Sequence, residues 1–198
     1  MTLRNLEKYT KEIVGWLDEN QVDYAIVGGI AVSFRTIERT TRDVDFAISV
    51  ESDSRSERIV RDLGQLGYKV EAVLEQSKQG RLATVRFIKQ VESEIFIDFL
   101  FASSGIEDEV AARSQSIEIF PGLNAKIADL ASLLALKTLS ANETDRLQDI
   151  LDIRALLKEA TSEDLAEAIL LLKLITDRGF NRNKNLETEF GAFVARFK

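Results

Sequence analysis

Two aspartates inside one short apolar stretch are the residues best suited to chemistry in this sequence. Asp43 and Asp45 flank Val44 in the run DVDFAISV, and on a strand their side chains point to the same face. Two residues of strand rise separate such carboxylates by ~7 Å, a spacing at which they can share one divalent cation or a close pair of cations. A solvated strand end or a cap gives the same Asp-x-Asp spacing, so the motif alone leaves both interpretations open.

A pair of glycines precedes this stretch and follows another short apolar run. Gly28 and Gly29 come directly after Tyr24 to Val27, and neither carries a Cβ, so the backbone can turn sharply and a bulky anion can approach closely. A helix that begins at the pair presents free N–H groups and the positive end of its dipole to the turn. Phosphate binding and a plain tight turn both agree with this pattern.

A third aspartate interrupts a later apolar run. Asp98 lies in EIFIDFLF, where a two-residue period places it on one face with Phe96 and Leu100. A lone buried carboxylate would be neutralised or strongly destabilising. If this strand pairs beside the strand of Asp43 and Asp45, three carboxylates meet on one surface with the glycine turn at its edge. Such a set is typical of divalent-cation and phosphate chemistry of the two-metal kind.

The composition narrows the chemistry further. The 198 residues include no cysteine and no histidine, which excludes thiolate metal sites, a cysteine nucleophile, imidazole acid–base catalysis and the Ser-His-Asp triad. Carboxylates remain as metal ligands, and they favour hard cations such as Mg²⁺ or Mn²⁺. The net charge of −7 is unfavourable for a protein that coats nucleic acid, so contact with RNA or nucleotide requires a local basic patch.

The sequence also bears on location. No stretch approaches the ~20 apolar residues that cross a bilayer, and the N-terminus lacks the uninterrupted apolar core of a signal peptide. We therefore expect a cytoplasmic protein without membrane contact.

The hydrophobic pattern predicts an α/β domain over residues 1–122 and an all-helical domain over residues 123–198. Short polar segments between the runs that follow Gly67 predict hairpin connections, and Pro121 ends the last predicted strand. The predicted strands cover residues 24–27, 44–50, 68–74, 81–88, 94–101 and 116–120. The predicted helices cover residues 3–19, 30–35, 52–66, 126–140, 143–159, 163–176 and 186–197.

The order of these motifs resembles the nucleotidyltransferase superfold shared with the palm of DNA polymerase beta. Within it, the chain is similar to the AbiEii-like nucleotidyltransferases, many of them toxins of type IV toxin–antitoxin systems. That group has GG where GS is common elsewhere, followed by R-x-T-x-D-x-D, and here Arg39, Thr41, Asp43 and Asp45 match the second motif. The resemblance covers residues 24–100 and continues more weakly to about residue 157.

This resemblance implies an α/β (α+β) fold, a mixed-sheet nucleotidyltransferase palm followed by a C-terminal helical part. It implies an enzyme in which an acceptor hydroxyl attacks the α-phosphate of a nucleoside triphosphate and pyrophosphate leaves. Asp43 and Asp45 would bind Mg²⁺ or Mn²⁺, and Asp98 would complete the metal site and act as, or orient, the base. Gly28 and Gly29 would hold the triphosphate, and the matched Arg39 and Thr41 belong with the nucleotide site. RNA or tRNA would be the acceptor, and a cognate antitoxin the partner.

The same family carries a lysine on a downstream helix and an aspartate on the next, matched here by Lys137 and Asp149. Leucines flank Lys137 at helical spacing, so it either snorkels to solvent or faces an anion, and the resemblance implies a nucleotide phosphate. Asp145, Asp149 and Asp152 follow at i, i+4 and i+7, a spacing that an ordinary solvated helix face would also give.

Two basic segments are candidates for the local positive patch. Arg35, Arg39 and Arg42 precede the aspartates and could steer triphosphate or an RNA end toward them, although Arg39 could equally brace the loop. The second segment, DRGFNRNKN, contains Arg178, Arg182 and Lys184, and a solvated turn between helices is the simpler interpretation.

Two other functions agree with the same residues. One is a nucleotide-binding or partner-binding module that keeps the fold without turnover. The other is a nucleotidyltransferase that acts on a small hydroxylated compound of the antibiotic type instead of RNA. A basic rim around the carboxylates would favour RNA, whereas an exposed acidic cleft would favour a cationic drug.

Overall fold

A computed structural model describes residues 2–36, 41, 43–76, 81–89, 95–142 and 146–198 of the chain. Within these residues the strands are β1 (Tyr24–Val27), β2 (Asp43–Ile48), β3 (Tyr68–Gln76), β4 (Arg81–Lys89), β5 (Phe96–Leu100), β6 (Gln115–Phe120) and β7 (Leu123–Ile127). The helices are α1 (Thr2–Glu19), α2 (Gly28–Arg35), α3 (Asp53–Gln65), α4 (Glu107–Ala112), α5 (Leu130–Ser140), α6 (Leu147–Glu159), α7 (Ser162–Asp177) and α8 (Leu186–Phe197).

The described strands form one mixed sheet in the order β3-β4-β5-β2-β1-β7-β6. Strand β2 lies at its centre, antiparallel to β1 and parallel to β5. Strands β3, β4 and β5 pair antiparallel in succession, as the predicted hairpins require. The fold class predicted from the sequence is therefore confirmed.

One face of this sheet is apolar, because alternate residues of the central strands are large hydrophobic side chains. Phe46 of β2 and Phe87 of β4 each lie 5.4 Å, between ring centroids, from Phe99 of β5, and all three are fully buried. Full burial of a side chain of this size contributes roughly 1.5–3 kcal/mol. The burial of this face fixes the register, since a one-residue slip would turn the phenylalanines to the other side.

The opposite face carries the polar residues. Asp43, Asp45 and Ala47 alternate with the buried side chains of β2 and line a cavity to which α5 and α6 also contribute. The sheet thus separates an apolar core from a polar surface, and the candidate functional residues lie on the polar side.

Two elements differ from the sequence prediction. Leu123 to Ile127 form a strand that pairs with β6 and lies parallel to β1, so the helix predicted from residue 126 begins at Leu130. Asp129 caps that helix by accepting a hydrogen bond from the backbone N–H of Ser132. The sheet accordingly extends beyond residue 122, and the division of the chain into two domains stays a prediction.

Helix α4 was not expected from the hydrophobic pattern. Its first residue, Glu107, accepts hydrogen bonds from the backbone N–H groups of Ser103, Ser104 and Gly105 and so folds the loop after β5 onto the helix start. In the part of the chain that the structure describes, no helix is both long and apolar enough to cross a membrane.

Candidate active site

The structure brings the three predicted aspartates together. Strands β2 and β5 are neighbours, and Asp45 lies opposite Asp98 in their parallel register, with Asp43 two residues before Asp45 on the same face. All three line one cavity of about 650 Å³. The adjacency of the two strands, on which the sequence prediction depended, is confirmed.

Among the acidic side chains that the structure describes, Asp45 has a clearly raised pKa. Burial and then the negative charge of Asp98 raise its pKa to about 7, with Asp43 adding to the rise while the Lys137 ammonium and the Arg86 guanidinium oppose it. Among the residues that the structure describes, none donates a hydrogen bond to its carboxylate. The positive charges of Lys137 and Arg86 therefore compensate ionised Asp45 only in part, and a bound cation would complete the compensation.

Asp98 is held by a residue that the sequence reasoning missed. Arg86 of β4 lies opposite Asp98 in the antiparallel register and donates from Nε to Oδ1 at 2.8 Å and from Nη2 to Oδ2 at 2.6 Å. The hydrogen bond to Asp98 is the main cause of the raised pKa of Arg86. The guanidinium also lies 4.9 Å from the centroid of the Phe96 ring.

A signal for Arg86 does exist in the sequence. Ala83, Val85 and Phe87 alternate along β4 and are buried, so Arg86 must point to the same side of the sheet as the aspartates. Its pairing with Asp98 follows only from the register of the hairpin, which the sequence does not reveal.

A divalent cation such as Mg²⁺ needs oxygen ligands with free lone pairs, and the three aspartates meet this need to different degrees. Asp43 and Asp45 fit one: they lie two residues apart on one face, and their shared negative charge is one cause of the raised pKa of Asp45. Asp98 fits less well as a third ligand, because both its oxygens already accept from Arg86. In the described ranges no three acidic side chains are arranged to hold a metal ion.

The glycine pair lies at the edge of the same cavity, and Gly28 is required there on two grounds. Its φ is +62°, and a Cβ at this position would lie 1.9 Å from Oδ2 of Asp45. Gly29 is the second residue of α2, which begins two residues earlier than predicted. Val27 makes no side-chain hydrogen bond at the N-terminus of this helix, so its first N–H groups face the cavity edge without a side-chain cap.

Lys137 projects from α5 into the cavity lining, where it pairs with two carboxylates and does not extend into open solvent. Its Nζ lies 2.7 Å from Oδ1 of Asp149 and 2.8 Å from Oδ2 of Asp152, and its side chain is 12% exposed. The snorkelling interpretation is therefore wrong: the lysine faces anions, and in this structure the anions are two aspartates of α6.

The two aspartates beside Lys137 are themselves buried, which contradicts the solvated-face interpretation for both of them. Although burial pushes the pKa of Asp149 upward, the Lys137 ammonium together with the Ser140 hydroxyl and the charge of Arg146 holds that pKa below its ordinary value. Asp145 lies outside the described residues.

The predicted arginines have different positions. Arg35 donates to the carbonyl of Ala128 at 3.0 Å and to Oε1 of Gln115 at 2.8 Å, so it anchors α2 to the β6–β7 side of the sheet and does not line the cavity. Arg39 and Arg42 lie outside the described residues. Thr41 lines the cavity, and its Oγ1 is 3.3 Å from the carbonyl oxygen of Asp43.

The C-terminal basic segment divides in the same way. Arg178 pairs with Glu109 at 2.7 Å, and Lys184 lies 3.5 Å from Glu189, so these two charges have acidic partners. Arg182, between them, lines the cavity together with Arg146, the residue at the N-terminus of α6. Arg182 is exposed, as the solvated-turn interpretation predicts, and it also lines the cavity.

Together these residues place both negative and positive charges in one cavity. Two carboxylates suited to a divalent cation lie on the sheet, a helix start borders them, and lysine and arginine side chains line the same cavity. Phosphoryl and nucleotidyl transfer use this combination of charges to neutralise the reacting phosphates.

Comparison with known proteins agrees with this geometry. The family model of the nucleotidyl transferase AbiEii toxin, type IV toxin–antitoxin system, matches residues 17–195. Among curated protein sequences none matches the chain. Of solved structures, an antigenic nucleotidyltransferase-like protein from Paracoccidioides brasiliensis is similar, with a TM-score of 0.58 and 17% identity, over 97% of this chain and 94% of that one.

The solution structure of the antibiotic-resistance factor ANT(2″)-Ia is also similar, with a TM-score of 0.51 and 18% identity, over 100% of this chain and 95% of the other. At these identities the two structures support the fold alone. The family model, in contrast, spans nearly the whole sequence and both groups of motifs. The chain therefore belongs to the AbiEii nucleotidyltransferase toxin family and has a nucleotidyltransferase fold.

Proposed function

We propose that this protein is a metal-dependent nucleotidyltransferase that moves a nucleoside monophosphate from a nucleoside triphosphate to an acceptor hydroxyl. The observation that supports it best is the meeting of Asp43, Asp45 and Asp98 on two adjacent parallel strands, beside a helix that begins at Gly28. The proposal includes a cytoplasmic location, RNA or tRNA as the acceptor and, from the family, a cognate antitoxin as a partner.

Asp43 and Asp45 would hold Mg²⁺ or Mn²⁺. When bound, the metal would neutralise the triphosphate and the charge that develops on the transferring phosphate. The raised pKa of Asp45 supports this assignment, since Lys137 and Arg86 offset the burial and the neighbouring carboxylates only in part and a cation would stabilise the ionised form further.

Asp98 would accept the proton of the acceptor hydroxyl. As the acceptor oxygen bonds to the α-phosphorus, the bond from that phosphorus to the bridging oxygen breaks and pyrophosphate leaves. Arg86 uses one acceptor position on each oxygen of Asp98 and leaves others free, because a carboxylate offers about four lone-pair sites. Arg86 thus orients Asp98 and leaves its carboxylate able to accept a proton.

The remaining residues would bind the nucleotide. The uncapped start of α2 at Gly28 and Gly29 supplies N–H donors for the triphosphate, and Arg39 and Thr41 would add contacts to it. Lys137 has three N–H bonds, of which its two aspartate partners use two, so one remains for a phosphate oxygen. Asp149 then acts through Lys137, by fixing the position of its ammonium group.

Two arginine side chains of the cavity support RNA as the acceptor. Arg146 and Arg182 line the cavity, and Arg182 belongs to the second of the two basic segments predicted from the sequence. A small cationic compound would instead meet these guanidinium groups as like charges.

The direct test is transfer of label from α-labelled ATP, CTP, GTP and UTP to total tRNA in Mg²⁺ or Mn²⁺. Wild type, the Asp43→Ala/Asp45→Ala double variant and a control, Asp177→Asn, are compared, because Asp177 is exposed and lies outside the cavity lining. We expect transfer by wild type and control only. Equal transfer by the double variant would refute the site.

A second arm replaces tRNA by a panel of aminoglycosides and other small hydroxylated compounds. Labelled drug without labelled tRNA would move the assignment to a small-molecule nucleotidyltransferase. Absence of transfer in both arms would favour the binding module.

A further inference from the structure

Two guanidinium groups of the helical segments line the same cavity as the carboxylates. Arg146 lies at the N-terminus of α6, and Arg182 lies in the connection between α7 and α8. They are 36 residues apart in the sequence, and the fold brings both to one cavity. No spacing rule in the sequence predicts this meeting.

Neither group donates a hydrogen bond to a carboxylate within the described ranges, and Arg146 makes only a long ion pair with Asp149, which already contacts Lys137. Arg182 makes two long contacts, from Nη2 to the carbonyl oxygen of Ser103 at 3.4 Å and to its Oγ at 3.5 Å. Arg146 lies 3.6 Å from Oδ2 of Asp149, beyond hydrogen-bond length, and its side chain is 61% exposed. Both guanidinium groups therefore keep donors available.

The negative charge of Glu107 acts on Arg182, but the oxygens of Glu107 already accept other hydrogen bonds. Oε1 accepts from Ser103 and Ser104, and Oε2 accepts from the N–H of Gly105. Burial and the nearby charge of Arg146 lower the pKa of Arg182, and Glu107 opposes this only in part. The positive charges of the two arginines thus repel each other at the cavity wall.

The backbone conformation at Arg182 also has a free-energy cost. Arg182 and Asn183 have φ values of +54° and +61°, in the left-handed region that glycine occupies without strain. Asparagine is common there, whereas arginine is not. Glycine would form this turn at a lower free-energy cost. We therefore attribute the arginine at position 182 to a role of its side chain.

We propose that Arg146 and Arg182 form a phosphate-binding subsite of the cavity, an assignment that rests on the proposed nucleotidyltransferase function. Guanidinium groups bind phosphate oxygens through paired N–H donors. The ligand is either the terminal phosphates of the nucleoside triphosphate or a phosphodiester of the RNA acceptor, since both present the same oxygens.

The test is calorimetric binding of two probes to the full chain, inorganic tripolyphosphate and a short single-stranded RNA. The variants are Arg182→Gln, which removes the charge, and Arg182→Gly, which also relieves the backbone strain. The matched control is Arg154→Gln, since Arg154 is an exposed arginine of α6 outside the cavity lining and loses the same charge.

We expect both variants at position 182 to bind at least one probe about tenfold more weakly, as loss of a charge-assisted hydrogen bond predicts. The control should change by less than about twofold, as expected for one exposed charge. Arg182→Gly should melt at or above the wild-type temperature, which separates lost binding from lost folding.

Each outcome has a defined meaning. Weaker binding of tripolyphosphate alone assigns the subsite to the nucleotide, and weaker binding of RNA alone assigns it to the acceptor. Equal affinity of wild type and Arg182→Gln for both probes overturns the proposal, as does equal weakening in Arg154→Gln or a wild type that binds neither probe. These measurements need no turnover, so their failure is distinct from a failure of label transfer.

Discussion

Replacing Asp45 by asparagine should stabilise the metal-free protein, and the effect should grow with pH. The pKa of Asp45 rises from 3.8 to about 7 on folding, so the folded state prefers the protonated carboxyl. This contribution is complete below about pH 4 and is lost as the pH rises through about 7, because the ionised group then lies among other carboxylates. Asparagine keeps the shape and cannot ionise.

The size of this stabilisation follows from the difference between the pKa of Asp45 in the folded protein and its ordinary value. That difference of about 3 corresponds to about 4 kcal/mol at 1.36 kcal/mol for each tenfold change. Asp45 is half-buried and borders an open cavity, so screening by solvent reduces the expected gain to about 2–4 kcal/mol at pH 8. A chain of this size gains about 2–4 °C in melting temperature for each kcal/mol.

The assay is thermal and urea denaturation in EDTA at pH 5 and pH 8, with Asp177→Asn as the control for loss of one exposed acidic charge. Asp45→Asn should melt about 4–16 °C above wild type at pH 8, with a smaller difference at pH 5. Adding Mg²⁺ should raise the melting temperature of wild type alone. A variant no more stable than wild type at pH 8 would refute the electrostatic account of Asp45.

Three further substitutions probe the rest of the site. Gly28→Ala should destabilise by about 1–3 kcal/mol in urea and abolish label transfer, whereas Gly122→Ala, also at positive φ but with open space around its Cβ, should lose stability and retain transfer. Arg86→Gln should lower the transfer rate about tenfold or more, because Asp98 loses the two hydrogen bonds that orient it. Arg86→Lys should recover part of this rate. A normal rate in Arg86→Gln would exclude a positioning role for Arg86. Lys137→Met should cost about 3–5 kcal/mol by urea denaturation, since it removes the ammonium that both buried carboxylates contact. Adding Asp149→Asn should restore part of that stability, and unchanged stability of the single variant would contradict the ion-pair assignment.

Local periodicity was enough to predict the carboxylate surface. Asp43, Asp45 and Asp98 could be assigned to faces because a strand alternates with a period of two, and the apolar face then required all three to lie on the polar side. The glycine turn was recognisable for a similar reason, since its requirement is local to the backbone.

Features that depend on register or on the path of a loop could not be predicted in this way. Arg86 meets Asp98 only because β4 and β5 pair in one register, and Arg182 reaches the cavity through a connection whose course no local pattern determines. The segment LNAKI has too few residues to reveal its period, so the adjoining helical signal was extended over it.

Three neighbouring strands each position a different component of the site, so the position of Lys137 can change independently of the carboxylates. Strand β2 carries the carboxylates, β1 leads into the glycine turn, and β7 leads into α5 and its Lys137. Strand β7 is held to β1 by a short parallel pairing, Ile26 with Ile127, and by the N–H of Ala128 bonded to the Ile26 carbonyl. A shift of β7 that keeps its buried face buried must be two residues long, which would move the start of α5 by ~7 Å while leaving β2 and its carboxylates in place. The position of the ammonium could thus be altered by changes in β7 and the β6–β7 hairpin without any change in β2.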